Sequence, residues 1–130
     1  MRAERVIVVP DLHGSNAWKK IAEREVESDL VVFLGDYCDS YHKSDEEILS
    51  NLREIIEFKR LSGDRVVLLM GNHDMQYMFP DDIRFACSGR RHSMLESLRE
   101  VFTANRNLFK LAEFASVGGD PWVFSHAGFT

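Results

Sequence analysis

Four short clusters bring together side chains that bind metals or move protons: Pro10-Asp11-Leu12-His13-Gly14, Gly35-Asp36-Tyr37-Cys38-Asp39, Gly71-Asn72-His73-Asp74 and Ser125-His126-Ala127-Gly128. Carboxylate, imidazole and amide groups are the oxygen and nitrogen donors of a metal centre, and an imidazole near a carboxylate is equipped to carry a proton. Taken singly, each cluster also reads as turn chemistry, because Asp, Asn and Gly are favoured in tight turns. Asp11 with His13 could equally be a strand end and a helix cap, and a His near a strand end, such as His126, is often an ordinary edge residue. The recurrence argues for chemistry, since each cluster directly follows an apolar run.

Three of those runs, Val6 to Val9, Leu30 to Leu34 and Val66 to Met70, are nearly all apolar rather than alternating. Such runs suit strands buried on both faces of a parallel sheet. Helical periodicity fills the connectors. Trp18, Ile21, Ala22 and Val26 form one stripe between Ser15 and about Glu27, and Ile48, Leu52, Ile55 and Ile56 form another that opens on a Ser44–Glu47 capping box and stops at Gly63. The order β-α-β-α-β over residues 5 to 70 follows, an α/β fold. A second capping box, Ser93 with Glu96, is expected to open a helix that buries Leu95, Leu98 and Phe102. Leu108 to Phe114 and Trp122 to Phe124 read as two further strands around the turn Gly118-Gly119-Asp120-Pro121. In open α/β sheets ligands gather beyond the carboxyl ends of the strands, so the four clusters are expected to meet at one edge.

Composition narrows the function classes. The chain has 130 residues, 45% hydrophobic and 28% charged, within the range of one globular domain. A net charge of −5 argues against an electrostatic grip on nucleic acid, whereas bound cations would still let an acidic cleft accept a phosphorylated substrate. No stretch reaches the roughly 18 apolar residues of a membrane span. Cys38 and Cys87 form no CxxC pair and no disulfide-dense pattern, so a reducing, cytoplasmic setting is expected. Cys38 reads as a small buried filler, and His42 and His92 as surface residues.

The clusters, in order D-x-H, G-D-x-x-D, G-N-H-D and H-A-G over residues 11 to 128, resemble the signature of the calcineurin-like metallophosphoesterase superfamily. The Ser125-His126-Ala127-Gly128 ending looks more like its serine/threonine protein phosphatase and diadenosine-tetraphosphatase branch than its nuclease branch. The resemblance implies a metallophosphoesterase-type α/β sandwich with two divalent ions. Asp11 and His13 would hold one ion, Asn72 and His126 the second, and Asp36 would bridge them. A bridging carboxylate offsets the repulsion between two close cations, and the mixed ligand set suits Mn²⁺, Fe or Zn²⁺ better than Ca²⁺. A water or hydroxide held by the pair would attack phosphorus in a phosphomonoester or nucleotide-type anhydride. His73 is similar to the family's general acid, Asp39 to the carboxylate that orients it, and Asp74 would take a supporting role.

Two departures shape the expectations. Protein-phosphatase-like members carry an Arg after the second Asp of G-D-x-x-D; here Ser40 stands there, so Arg90 and Arg91 become candidates, with Asn72, for holding the substrate phosphate. Family members continue beyond H-A-G with strands that supply further His ligands, so residues 1 to 130 are expected to form one truncated domain with an incomplete second sheet. Self-association through the uncovered sheet would follow, with a phosphoprotein or nucleotide as substrate. The rival reading is a metal-binding but catalytically silent remnant serving as an interaction module. A phosphate-binding domain without metal is disfavoured, because no Walker or G-x-G-x-x-G loop follows any strand.

Overall fold

A computed structural model describes residues 2–24 and 30–127. The three apolar runs pair side by side as β2 (Val6–Val9), β3 (Leu30–Phe33) and β4 (Val66–Leu69), following the two-residue β1 (Arg2–Ala3). All three are parallel, with Val8 opposite Val32 and Val32 opposite Val67. Every residue of β3 and β4 is buried, as a sheet covered on both faces requires.

Alternate residues of these strands serve two cores. Val31, Phe33, Val66 and Leu68 face a helical layer, where they join Trp18, Ile48, Leu52, Ile55, Leu98 and Phe102. Leu30, Val32, Val67 and Leu69 face Ala3, Ala115 and Phe124 of a second sheet. The helices are α1 (Trp18–Ala22), α2 (Asp45–Ser62), α3 (Asn72–Met78) and α4 (Leu95–Ala104). The architecture is therefore an α/β sandwich, with a mostly parallel sheet between helices and a smaller sheet.

Local signals explain the element ends and show where expectation and structure part. In α2 the Ser44 Oγ accepts from the Glu47 N–H while Glu47 accepts from the Ser44 N–H, each at 3.1 Å, and Gly63 ends the helix at φ 64°. The second expected box does not form. Ser93 instead donates its hydroxyl to Asp45 Oδ2 at 2.6 Å, and α4 starts at Leu95 without a side-chain cap. The first connector yields only the short α1, and Val26 of its predicted stripe lies outside the described residues. The run 108–114 divides: β5 (Phe109–Lys110) is the fourth parallel strand, and after Leu111 the chain crosses to the other sheet as β6 (Ala112–Val117). β6 runs between β1 and the antiparallel β7 (Asp120–Ser125), turning on Gly118 and Gly119 alone, both at positive φ. Asp120 and Pro121, expected in the turn, belong to β7, an edge strand where proline's missing N–H is tolerated.

Candidate metal centre

The clusters sit where β2, β3 and β4 end, with His126 arriving from the end of β7. The β3 loop forms the floor. Asp36 and Asp39 both adopt left-handed backbone conformations, φ 56° and 64°, as does His13 at 46°, a concentration of strain typical of functional loops. Gly71 lets the β4 loop pass directly beneath: a Cβ there would lie 2.0 Å from Asp36 Oδ1. The fully buried Asp74 fastens the two loops together. Its Oδ2 accepts from the Asp36 and Gly71 N–H groups at 2.7 and 3.0 Å, and its Oδ1 from Tyr37 N–H at 2.9 Å. Burial pushes the Asp74 carboxyl up to about 7, and the N–H bond from Gly71 opposes that rise.

Asp36 is buried and its two oxygens are divided. Oδ1 accepts from the His73 N–H at 2.9 Å, and Oδ2 lies 3.8 Å from His13 Nε2 and 3.4 Å from His126 Nε2. Both imidazoles are aimed by backbone carbonyls, His13 Nδ1 donating to Cys38 O at 2.9 Å and His126 Nδ1 to Leu34 O at 3.0 Å. With Nδ1 of each ring held by a carbonyl, Nε2 faces the Asp36 carboxylate, the arrangement by which proteins orient histidine to ligate.

His126 Nε2 also stands 2.9 Å from Asn72 Oδ1. A cation shared by the two atoms would account for that distance, as would a proton on Nε2. Two ligands bound at right angles with bonds of 2.0–2.1 Å lie about 3 Å apart, so the spacing fits a shared cation. Asp11, Asp36 and His126 bring ligand atoms within 4.8 Å of one another, as do His13, Asp36 and His73. The residues around Asp36 thus fit divalent-cation binding. In these groupings Asp11, which is exposed, stands with His126 rather than with His13; its Oδ1 is 3.6 Å from His126 Nδ1.

His73 meets Asp39 as the resemblance implies, donating Nδ1–H to Oδ2 at 2.8 Å, and its ring crosses that of His13 edge to face with centroids 5.0 Å apart. Asp39 also receives the Gln76 amide on Oδ2 and the Tyr77 hydroxyl on Oδ1. Gln76 and Tyr77 lie outside the four clusters and carry no motif signal of their own, but α3 begins at Asn72. Recognised as a helix, the segment puts residues 73, 76 and 77 on one face.

A pocket of about 250 Å³ opens beside this pair, lined by His13, Asp39, Ser40, Tyr41, His42, His73, Ser88 and Gly89. His42, expected at the surface, is exposed but borders it, while Cys38 is buried as expected. Neither Arg90 nor Arg91 lines it. Arg91 donates to Asp45 Oδ1 at 2.7 Å and to the carbonyls of Ser40 and Lys43, pinning the β3 loop to the start of α2. Arg90 donates to Pro80 O at 2.9 Å and borders a separate cleft with Glu96, Arg99 and Glu100.

A family profile for calcineurin-like phosphoesterases matches residues 4–130. The chain belongs to that family. Membership makes it a metal-dependent phosphoesterase by descent, and the donor groups around Asp36 are the residues that could hold its metal. No curated protein matches the phosphoesterase chain significantly. None of its described helices is long and apolar enough to cross a membrane.

Proposed function

We propose that this phosphoesterase hydrolyses a phosphomonoester or nucleotide-type phosphoanhydride in the cytoplasm, using two divalent ions of Mn, Fe or Zn. The observation that carries this reading is Asp36 Oδ2 facing the Nε2 atoms of both His13 and His126. Asp36 is the shared ligand, with His13 on one side and His126 with Asn72 on the other, and Asp11 completing the set. Two cations bound there would acidify a water and neutralise phosphoryl charge. The chain's own residues supply the rest. His73, its Nδ1–H held by Asp39, lines the pocket, and with a second proton on Nε2 it would pass that proton to the leaving oxygen and be left neutral, with Nδ1–H still on Asp39. Asn72, exposed and next in sequence to His73, would meet a phosphate oxygen through its amide N–H.

The Ser125-His126-Ala127 segment supports a place near the protein phosphatase and diadenosine-tetraphosphatase branch. Ser40, standing where protein-phosphatase-like members have Arg, favours a nucleotide or small phosphomonoester over a phosphoprotein. Arg90 and Arg91 are not carried into this reading, because their guanidinium groups serve other partners. The test is hydrolysis of para-nitrophenyl phosphate with added Mn²⁺, beside Asp36→Asn and His73→Asn, with metal content measured on each. Activity in the wild type, lost in both variants while only Asp36→Asn loses metal, is the expected result. Metal binding without turnover above the variants would favour the silent-remnant reading instead.

A further inference from the structure

The strongest network outside the metal ligands converges on Asp39. His73, Gln76 and Tyr77 occupy positions i, i+3 and i+4 of α3, one face of the helix, and all three donate to the same carboxylate. Asp39 is 6% exposed and Gln76 and Tyr77 are fully buried, so water does not compete for these bonds. Polar side chains in such a position destabilise the fold unless bonded, and an aliphatic or phenyl group would fill the same space without that demand. Each is also fixed at its other end. The Tyr77 hydroxyl accepts from Arg91 N–H at 3.1 Å and Gln76 Oε1 accepts from Cys87 N–H at 2.9 Å. Cys87 Sγ in turn lies 3.4 Å from Asn72 Nδ2. The segment carrying the pocket residues Ser88 and Gly89 is thereby tied to the carboxylate that holds His73.

We propose that Gln76 and Tyr77 are positioning residues for the His73–Asp39 pair, clamping the carboxylate with neutral donors so that it holds the Nδ1–H of His73 and the ring aims its other N–H, on Nε2, into the pocket. This rests on the reading above that His73 protonates the leaving group. Asp39 holds a left-handed backbone conformation, φ 64°, and the two donors keep its carboxylate in the one orientation that reaches His73. Released from either donor, the carboxylate can rotate about its side-chain bonds, and the imidazole loses its fixed partner.

The test uses Tyr77→Phe, which removes one oxygen, and Gln76→Met, which removes both amide functions at similar volume. Two leaving groups are compared: phenyl phosphate, whose departing oxygen needs a proton, and 2,4-dinitrophenyl phosphate, whose departing oxygen does not. Each variant is expected to lose about tenfold or more in kcat on phenyl phosphate, in the range found when a partner one step from a reacting group is removed, with KM, metal content and dinitrophenyl turnover unchanged. Independently, the His73 Nδ1–H proton, followed by NMR in the metal-free chain, should exchange with water at least about tenfold faster in the variants. Equal loss on both substrates would mean a general loosening and would overturn the proposal, as would unchanged proton exchange in Tyr77→Phe. If Gln76→Met does not fold, Tyr77→Phe decides alone. Should the wild type hydrolyse neither ester, the proposed activity fails, while the proton-exchange comparison still decides the clamp.

Discussion

At the scale of single residues the centre is built by carboxylates with different duties. Asp36 faces the His13 and His126 Nε2 atoms, Asp39 the His73 ring, and Asp74 the backbone N–H groups of two loops. Asp74 accepts from three N–H groups in the dark of the core, so Asp74→Asn turns an NH₂ group against at least one of them. An uncompensated buried donor of that kind costs about 2–3 kcal/mol, and a thermal melt should show a loss of about 10 °C in Tm. A variant melting with the wild type would show that Asp74 is not what joins the loops. Much of this centre was legible beforehand, because a side chain's chemistry is written in its type: Asp11, His13, Asp36, Asn72, His73 and His126 meet at one edge as their clusters suggested. Its aiming was not legible. The carbonyls of Leu34 and Cys38 that turn the two imidazoles belong to the backbone and carry no residue signature. Arg90 and Arg91 illustrate the reverse, since guanidinium groups suited to phosphate are equally suited to a neighbouring carbonyl or Asp45.

Elements were readable where one local signal acted without a rival. The Ser44–Glu47 box caps α2 because no distant group competes for Ser44, and Ser44→Ala should cost about 1 kcal/mol in denaturant unfolding without changing metal content. No measurable loss would mean that the first turn of α2 is held from elsewhere, as by Arg91 on Asp45. Ser93 and Glu96 carry the same pattern, yet Asp45 captures the Ser93 hydroxyl at 2.6 Å, a tertiary partner that a local reading does not include. The strand expected over residues 108 to 114 failed for a related reason. Phe109 packs among helical-layer aromatics while Ala115 joins the second core, so one apolar run serves two sheets and must break between them at Leu111. In α3 the Gly71-Asn72-His73-Asp74 stretch has turn-like composition, and the helix is set by Asp74 reaching back to the Gly71 N–H, a first-turn acceptor that its neighbours disguise.

For the whole molecule, the two sheets are unequally covered. The parallel sheet is enclosed by helices on one face and by β1, β6 and β7 on the other, but the far side of the smaller sheet carries the cross-strand pair Phe114 and Val123, 69% and 47% exposed. Leu111 at the corner and Trp122 on the edge strand are also more than half exposed. Among the described residues β7 has no strand on its outer side, and apolar groups beside such an edge favour pairing with another surface; the self-association expected from the sequence would use this hairpin. Light scattering over a range of concentrations is the measurement. The average mass should rise with concentration in the wild type and fall toward that of one chain in Val123→Lys, which places a charge on the edge strand directly opposite Phe114. Because Val123 lies outside both buried cores, this change should leave the melting temperature and the metal centre as they were. A wild type that stays at the mass of one chain throughout would show that Leu111, Phe114, Trp122 and Val123 are tolerated in water as they stand, and that the hairpin contributes to the fold only through Ala115 and Phe124 on its inner face.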